Sequence, residues 1–432
     1  MLVTLFTNLF LELYEKHLFT YMKNIFSLKR ADLWVAASMA LAASFLLCGY
    51  EFIRSASNTL YKSAYGYENL PVIMALVPLG VIIALFFYGR VLSSLGPRKT
   101  LFASSILSGV LIVLCYLGIL AKISLASAAV FIVREVYIIL LIEQYWSFIN
   151  SRLSCHSGKI LNGPISGVAS IGSICGGMLV LKLAEPLGTV SMLLFAAALV
   201  LPAALLSDLG FRKCGEPKPS AEENTQKHGH LGLSLFREQP LLMFLLFVVI
   251  ITQVIATLLS LQFQGALQEH FPDPDKQTAY SGGFFALLNA LAFFLQFIGT
   301  PLLLRFVSVK VVHAIIPIIH IAMCAFLLGS PTLAVAGAAY LIFKSFDYSV
   351  FRAAKEILYI PLSFDARYRA KEVIDVFAYR TGKGAASILV LALQSFFLLS
   401  PYYPMMALVA AVVWLLLIIP LTKHWQNDVL SR

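Results

Sequence analysis

The chain has 432 residues, of which 59% are hydrophobic and only 12% charged, with a formal net charge of +10. A soluble globular protein carries about 25% charged residues, so this chain has too few to cover a water-facing surface, and its apolar mass excludes disorder. A polytopic membrane protein is expected, with the basic excess gathered in cytoplasmic loops rather than on a nucleic-acid surface.

Residues 1–30 set Leu2, Leu5, Phe6, Leu9 and Leu13 at helical spacing, interrupted by Glu12, Glu15 and Lys16. The stretch is too short and polar to cross a bilayer, and no small-residue cleavage site follows it. An amphipathic helix lying in the inner interface is expected. A crossing helix needs about 20 mainly apolar residues. Such windows are predicted at 31–53, 71–90, 100–120, 124–150, 160–183, 188–208, 239–262, 281–304, 307–329, 331–356, 371–398 and 401–421. With the N-terminus in the cytoplasm, Arg90, Arg98, Lys99, Arg152, Lys159, Arg212, Lys213, Arg305, Lys310, Arg367 and Arg369 all fall inside. The outer loops hold little beyond Lys62, Lys122, Lys182 and Lys276, as the positive-inside rule requires. Both termini are expected in the cytoplasm.

Residues 209–238 are polar, contain Pro217 and Pro219, and form the longest inside loop. They divide the chain into an N-terminal half (31–208), a cytoplasmic linker, a C-terminal half (239–421) and a cytoplasmic tail (422–432). Six windows, a long central loop and six more windows is the layout of the major facilitator fold. The expected fold class is therefore an all-α membrane protein, twelve transmembrane helices in two six-helix halves, major-facilitator-like.

Enzyme chemistry finds no foothold. The six cysteines are scattered and form no CxxC, so neither a disulfide nor a zinc site is expected. There is no HExxH, nucleophile elbow or GxxxxGK[ST] loop. The chain is not read as an enzyme, and no cofactor or metal is expected.

A charge near the bilayer centre costs about 2.5–3.5 kcal/mol on insertion scales, so retained charges belong in the bundle interior. The candidates are Glu51, Arg54, Arg134, Glu135, Glu143, Lys344, Asp347, Arg352, Arg380 and Lys383, six cations against four anions. Pairing would leave a cationic surplus. Glu51 with Arg54, and Lys344 with Asp347, lie three apart on one helix face, and Lys371 with Asp375 four apart, so structural ion pairs are an alternative reading for each. Arg134 and Glu135, near the outer end of the fourth window, read as a structural or snorkelling pair.

Arg380 and Lys383 share one face beside Gly382 and Gly384. Two like charges on one face repel, and a bound polyanion relieves that. The glycines admit a large ligand or a neighbouring helix. Phosphate fits, because Arg offers it a planar fork and Lys a compact charge. Pairing with Glu143 or Asp347 is the alternative. In the segment EQYWSFIN, Glu143, Trp146 and Asn150 either face a base or sugar or belong to ordinary packing. Glu143 and Asp347 have three possible roles: to bond a base or ribose, to pair with cations in the empty site, or to carry a proton.

The segment 355–387, KEILYIPLSFDARYRAKEVIDVFAYRTGKGAAS, resembles the signature of the ATP/ADP translocase family of plastids and obligate intracellular bacteria. The resemblance rests on Lys355, Glu356, Tyr359, Ile360, Pro361, Leu362, Lys371, Ile374, Asp375, Val376, Arg380, Gly382 and Lys383, and more weakly on Trp146, Phe148, Asn150 and Lys159. At the end of the first window Arg54 matches the family pattern, whereas Ser57 and Asn58 stand where it resembles Lys-Asp. The resemblance implies a secondary active transporter exchanging nucleotides, with ATP and ADP as the type pair, in a bacterial inner membrane. It would act as a monomer, with a nucleotide or other phosphorylated small molecule and the lipid bilayer as partners and no nucleic acid. The expected substrate-binding residues are Arg54, Glu143, Trp146, Asn150, Lys344, Asp347, Arg380 and Lys383. A proton-coupled symporter of another organic anion and a non-transporting sensor or scaffold on a carrier fold are the alternative functions.

Overall fold

A computed structural model describes residues 28–215, 235–362, 373–396 and 399–430. The predicted interfacial helix at 1–30 falls almost wholly outside them, as does most of the linker. The described chain is helical: α1 (Arg30–Tyr65), α2 (Leu70–Leu120), α3 (Ser124–Arg152), α4 (Cys155–Leu187) and α5 (Met192–Cys214) precede the linker. After it come α6 (Pro240–His270), α7 (Pro274–Phe294), the short α8 (Thr300–Phe306), α9 (Val309–Gly329), α10 (Leu333–Phe346), α11 (Arg352–Leu358), α12 (Tyr379–Gln394) and α13 (Tyr403–Leu430). Among the described residues, nine helical segments are long and apolar enough to cross a bilayer. The chain is a multi-pass membrane protein.

Three departures from the predicted windows have local causes. The 51 residues of α2 would span about 77 Å at 1.5 Å per residue, far more than the ~30 Å hydrocarbon core. Gly96, at φ 76° and ψ 168°, breaks it into two arms, with Pro97 next. The windows 71–90 and 100–120 lie on those arms. The window 331–356 is not one helix either. Its α-helical geometry is interrupted by a π turn at Asp347–Phe351, between α10 and α11. The window 371–398 is entered through a second π turn, Val373–Ala378, before α12. Such turns widen a helix and often sit at functional sites. Finally, α5 continues to Cys214 and α13 to Leu430, beyond the windows that predicted them.

Two clusters of buried apolar side chains form. One is drawn mainly from α1, the second arm of α2, α3, α4 and α5, through residues such as Met39, Phe52, Ile112, Tyr137 and Leu193. The other comes mainly from α6, α7 and α9–α13, through Leu245, Phe263, Phe343 and Trp414. The first arm of α2 crosses over. Leu70, Ile73, Met74, Val77 and Val81 pack into the second cluster. A second seam joins α4 to α7 where Gly177 faces Gly282. A Cβ on Gly177 would lie 2.7 Å from the Gly282 carbonyl oxygen, so only the missing side chains let these backbones meet, as is common between membrane helices.

Candidate functional site

Between the two clusters lies a cavity of about 440 Å³, within the range of small-ligand sites. Helical periodicity decides which residues face it. On α1, Tyr50, Arg54 and Asn58 recur every fourth position, and on α3 the lining residues are Phe131, Arg134, Glu135, Ile139 and Glu143. The first arm of α2 supplies an apolar wall that includes Met74, Val77 and Val81. Gln253, Thr257, Ser260 and Gln264 line it from α6, and Tyr340, Lys344, Tyr348, Tyr379 and Lys383 from α10 to α12.

The charges are not loose. Arg54 pairs with Glu51 at 3.6 Å, and its guanidinium stacks 3.7 Å over the Phe285 ring. The Glu51 carboxylate in turn accepts from the Asn289 amide of α7 at 2.9 Å. Arg134 donates to Glu135 at 2.8 Å, to Ser57 Oγ at 2.8 Å and to Asn58 Oδ1 at 2.9 Å, and lies 3.9 Å over Phe131. Lys344 donates to Asp347 at 3.0 Å and to the Tyr379 hydroxyl at 3.4 Å. Lys383 reaches Glu135 at 3.7 Å.

Structural ion pairs, the alternative reading, are what the described residues show, with three carboxylates shared among four cations. Each of the four described lining cations, Arg54, Arg134, Lys344 and Lys383, has a carboxylate partner, and Glu135 serves two of them. Burial explains it, because an uncompensated charge at this depth is far costlier than a paired one. The pairs differ in tightness. Charge-assisted N–H···O contacts run about 2.7–2.9 Å. Arg134–Glu135 and Lys344–Asp347, at 2.8 and 3.0 Å, approach that range, whereas Arg54–Glu51 and Lys383–Glu135, at 3.6 and 3.7 Å, are looser. Lys383 is also the most open, its side chain 34% exposed against 5% for Arg134.

Of the sequence-predicted site residues, Arg54, Glu143, Lys344 and Lys383 line the cavity, and Asp347 stands behind Lys344. Arg380 sits in the first turn of α12, but its side chain lies outside the described residues, as do Lys371 and the side chain of Asp375. Trp146 and Asn150 are not lining residues. On α3 they follow Glu143 by one and two turns, past the cavity's end, where Trp146 packs against the first apolar cluster and Asn150 is exposed. Arg352 is exposed as well. Arg134 and Glu135 form the structural pair of the expected alternatives, buried rather than snorkelling, the Arg134 side chain being 5% exposed. Their face of α3 turns inward onto α1, and Arg134 docks on Ser57 and Asn58, the two positions where the family-like pattern carries Lys-Asp. The glycines beside Lys383 serve helix packing. A Cβ on Gly382 would lie 3.2 Å from Gln253 Cβ, and one on Gly384 2.7 Å from Pro78 Cγ. They wedge α12 between α6 and the first arm of α2, and so hold Lys383 over the cavity. The polar stripe of α6 was readable as Gln, Thr, Ser and Gln at i, i+4, i+7 and i+11 within an apolar window.

The family model described as TLC ATP/ADP transporter matches residues 187–425, more than half of the chain. The chain belongs to this family. The match takes in Lys344, Asp347, Arg380 and Lys383 and leaves Arg54, Arg134 and Glu143 outside. Among curated relatives, ADP,ATP carrier protein 1 of Chlamydia muridarum is 27% identical over 235 residues, covering 49% of this chain and 44% of the relative. The chloroplastic ADP,ATP carrier protein 1 of Arabidopsis thaliana is 25% identical over 230 residues, covering 46% and 36%. The chain thus spans less than half the length of these relatives. Among solved structures, a mutant form of the nucleoside transporter NupG superposes with a TM-score of 0.68 at 11% identity, covering 90% of this chain and 99% of that one. A bacterial homologue of the iron transporter ferroportin, inward-facing, gives 0.67 at 11%, covering 90% and 98%. At such identities the likeness is one of fold alone.

Proposed function

We propose that this family member is a secondary active transporter that moves nucleotides across a membrane by alternating access, most simply by ATP/ADP-type exchange. The observation that carries the reading is a 440 Å³ cavity at membrane depth lined by Arg54, Arg134, Lys344 and Lys383. In the empty site the carboxylates hold the cations. An entering polyphosphate takes over the loose partners first, Lys383 and Arg54, and then Lys344, with Arg380 on the same helix turn completing the anion site. Glu135, Glu51 and Asp347 are left to hydrogen-bond the substrate or shift to other donors.

The broken helices complete the twelve crossings of this reading. The two arms of α2 count separately, and α10–α11 and α12 are the tenth and eleventh. The halves 31–208 and 239–421, joined by the cytoplasmic linker, rock about the cavity with both termini in the cytoplasm of a bacterial cell, and the monomer is the working unit. In that orientation the outer end is closed. Lys62 donates to the Gln264 carbonyl at 3.2 Å, Tyr67 to the Leu261 carbonyl at 2.8 Å, and the Thr189 amide to Asp275 at 2.6 Å. Uptake of labelled ATP into proteoliposomes tests the reading. Uptake that requires internal ADP or ATP supports exchange, and equal uptake with and without internal nucleotide excludes strict exchange.

One observation favours a second reading, proton-coupled symport of an organic or phosphorylated anion. Glu51 is 1% exposed and its second oxygen, Oε2, has no hydrogen-bond partner among the described residues. A proton there would neutralise the carboxylate and release Arg54. Uptake that collapses with an uncoupler while ignoring internal nucleotide would select this reading.

A further inference from the structure

One wall of the cavity carries no charge at all. The lining residues of α6 include Gln253, Thr257, Ser260 and Gln264, a stripe at i, i+4, i+7 and i+11 that runs about 16 Å along the helix. Its two ends are nearly fully buried, Gln253 at 1% and Gln264 at 2% exposure. Their amides are poorly satisfied. Gln264 Oε1 has no hydrogen-bond partner among the described residues, and the Gln253 amide reaches only Thr252 Oγ1 at 3.5 Å, the far limit of a hydrogen bond. Thr257 spends its proton on the Gln253 carbonyl at 2.8 Å and keeps its lone pairs. A buried amide is ordinarily paired, so these groups call for a partner when the cavity fills.

The chemistry of that partner follows from what the stripe lacks. With no cation it offers nothing special to a phosphate, and the phosphate-matching groups stand elsewhere, on α1, α3, α10 and α12. Neutral donors and acceptors beside the apolar wall of Met74, Val77 and Val81 fit an uncharged, flat, hydrogen-bonding group. A primary amide presents one donor and one acceptor side by side. That arrangement complements the N6/N7 edge of adenine, whereas the O6/N7 edge of guanine presents two acceptors. We propose that the Gln253–Thr257–Ser260–Gln264 stripe is the nucleoside subsite, and that Gln264, seconded by Gln253, selects adenine over guanine. This rests on the nucleotide reading above and adds to it where the base lies.

Competition binding on the purified full chain tests it with ATP, GTP and tripolyphosphate as probes. The wild type is expected to prefer ATP to GTP by about tenfold or more, one hydrogen bond's worth of discrimination. Gln264→Leu should weaken ATP by about tenfold, bring it level with GTP and leave tripolyphosphate within twofold. Gln253→Leu should do the same to a smaller degree, and Lys383→Ala should weaken all three probes together. Retained tripolyphosphate binding certifies the fold of each glutamine variant, an unchanged unfolding temperature that of Lys383→Ala, and Gln264→Asn carries the same test if the leucine variant fails to fold. A wild type that binds ATP and GTP equally, or glutamine variants that keep the ATP preference, would overturn the subsite alone. Loss of tripolyphosphate binding by a folded Gln264→Asn would also overturn it. A wild type that binds none of the three probes overturns the nucleotide reading and the subsite with it.

Discussion

The two charged walls of the cavity are built differently. On α1 and α3 the cations are guanidiniums held from more than one side: Arg134 has four side-chain partners and Arg54 lies between Glu51 and the Phe285 ring. On α10 and α12 they are ammonium groups beside π turns. Lys344 pairs within its own turn, and Lys383 reaches across to the other wall. The first wall is preorganised, the second adjustable. In the proposed cycle Arg134 positions and Lys383 and Lys344 release and capture, while Arg54, held on the Phe285 ring but loosely ion-paired, turns to phosphate without leaving its ring. The contrast also divides stability effects from binding effects.

The sharpest way to break that division is Arg134→Ala. It strands Glu135 in a buried setting, and removing one partner of a buried pair costs about 3–5 kcal/mol. Thermal unfolding in detergent should show a large drop, partly recovered by adding Glu135→Gln. Lys383→Ala should behave in the opposite way. Losing a charge-assisted contact worth about 1.5–3 kcal/mol should weaken ATP about 10- to 100-fold, while the unfolding temperature stays near wild type because this lysine is the most open. Gly384→Ala probes how the adjustable wall is held. Its Cβ would meet Pro78 at 2.7 Å, and overpacking costs about 1–3 kcal/mol, so transport should fall as α12 is pushed from α2. Glu51→Gln keeps an oxygen for Asn289 and frees Arg54, so ATP should bind a few-fold tighter by direct titration. The smallest effect belongs far from both walls. Arg212→Ala removes only the exposed partner of Asp208, which keeps Arg98 at 2.7 Å, and should change stability by less than about 1 kcal/mol.

How much of this was legible in the sequence depended on range. Apolar windows announce themselves, because each crossing must satisfy its own backbone, and every window falls largely on described helix. The pairs Glu51–Arg54 and Lys344–Asp347 were legible because an i, i+3 spacing fixes neighbours on a helix. Long-range geometry was not. Nothing local says that the first arm of α2 packs into the second cluster, that Lys383 meets Glu135 rather than Glu143 or Asp347, or that Arg134 docks on Ser57 and Asn58. Hydropathy also missed the π turns, since Asp347–Phe351 costs a helix no apolar residue. Trp146 and Asn150 share a segment with Glu143, but the cavity ends before them.

The central claim is that the lining cations exchange their carboxylate partners for substrate phosphates. Calorimetric titration of the purified protein with adenosine, AMP, ADP and ATP tests it most directly. Affinity should climb with each added phosphate in the wild type, and the climb should flatten in Lys383→Ala. Equal affinity for adenosine and ATP, or the same climb without Lys383, would contradict it.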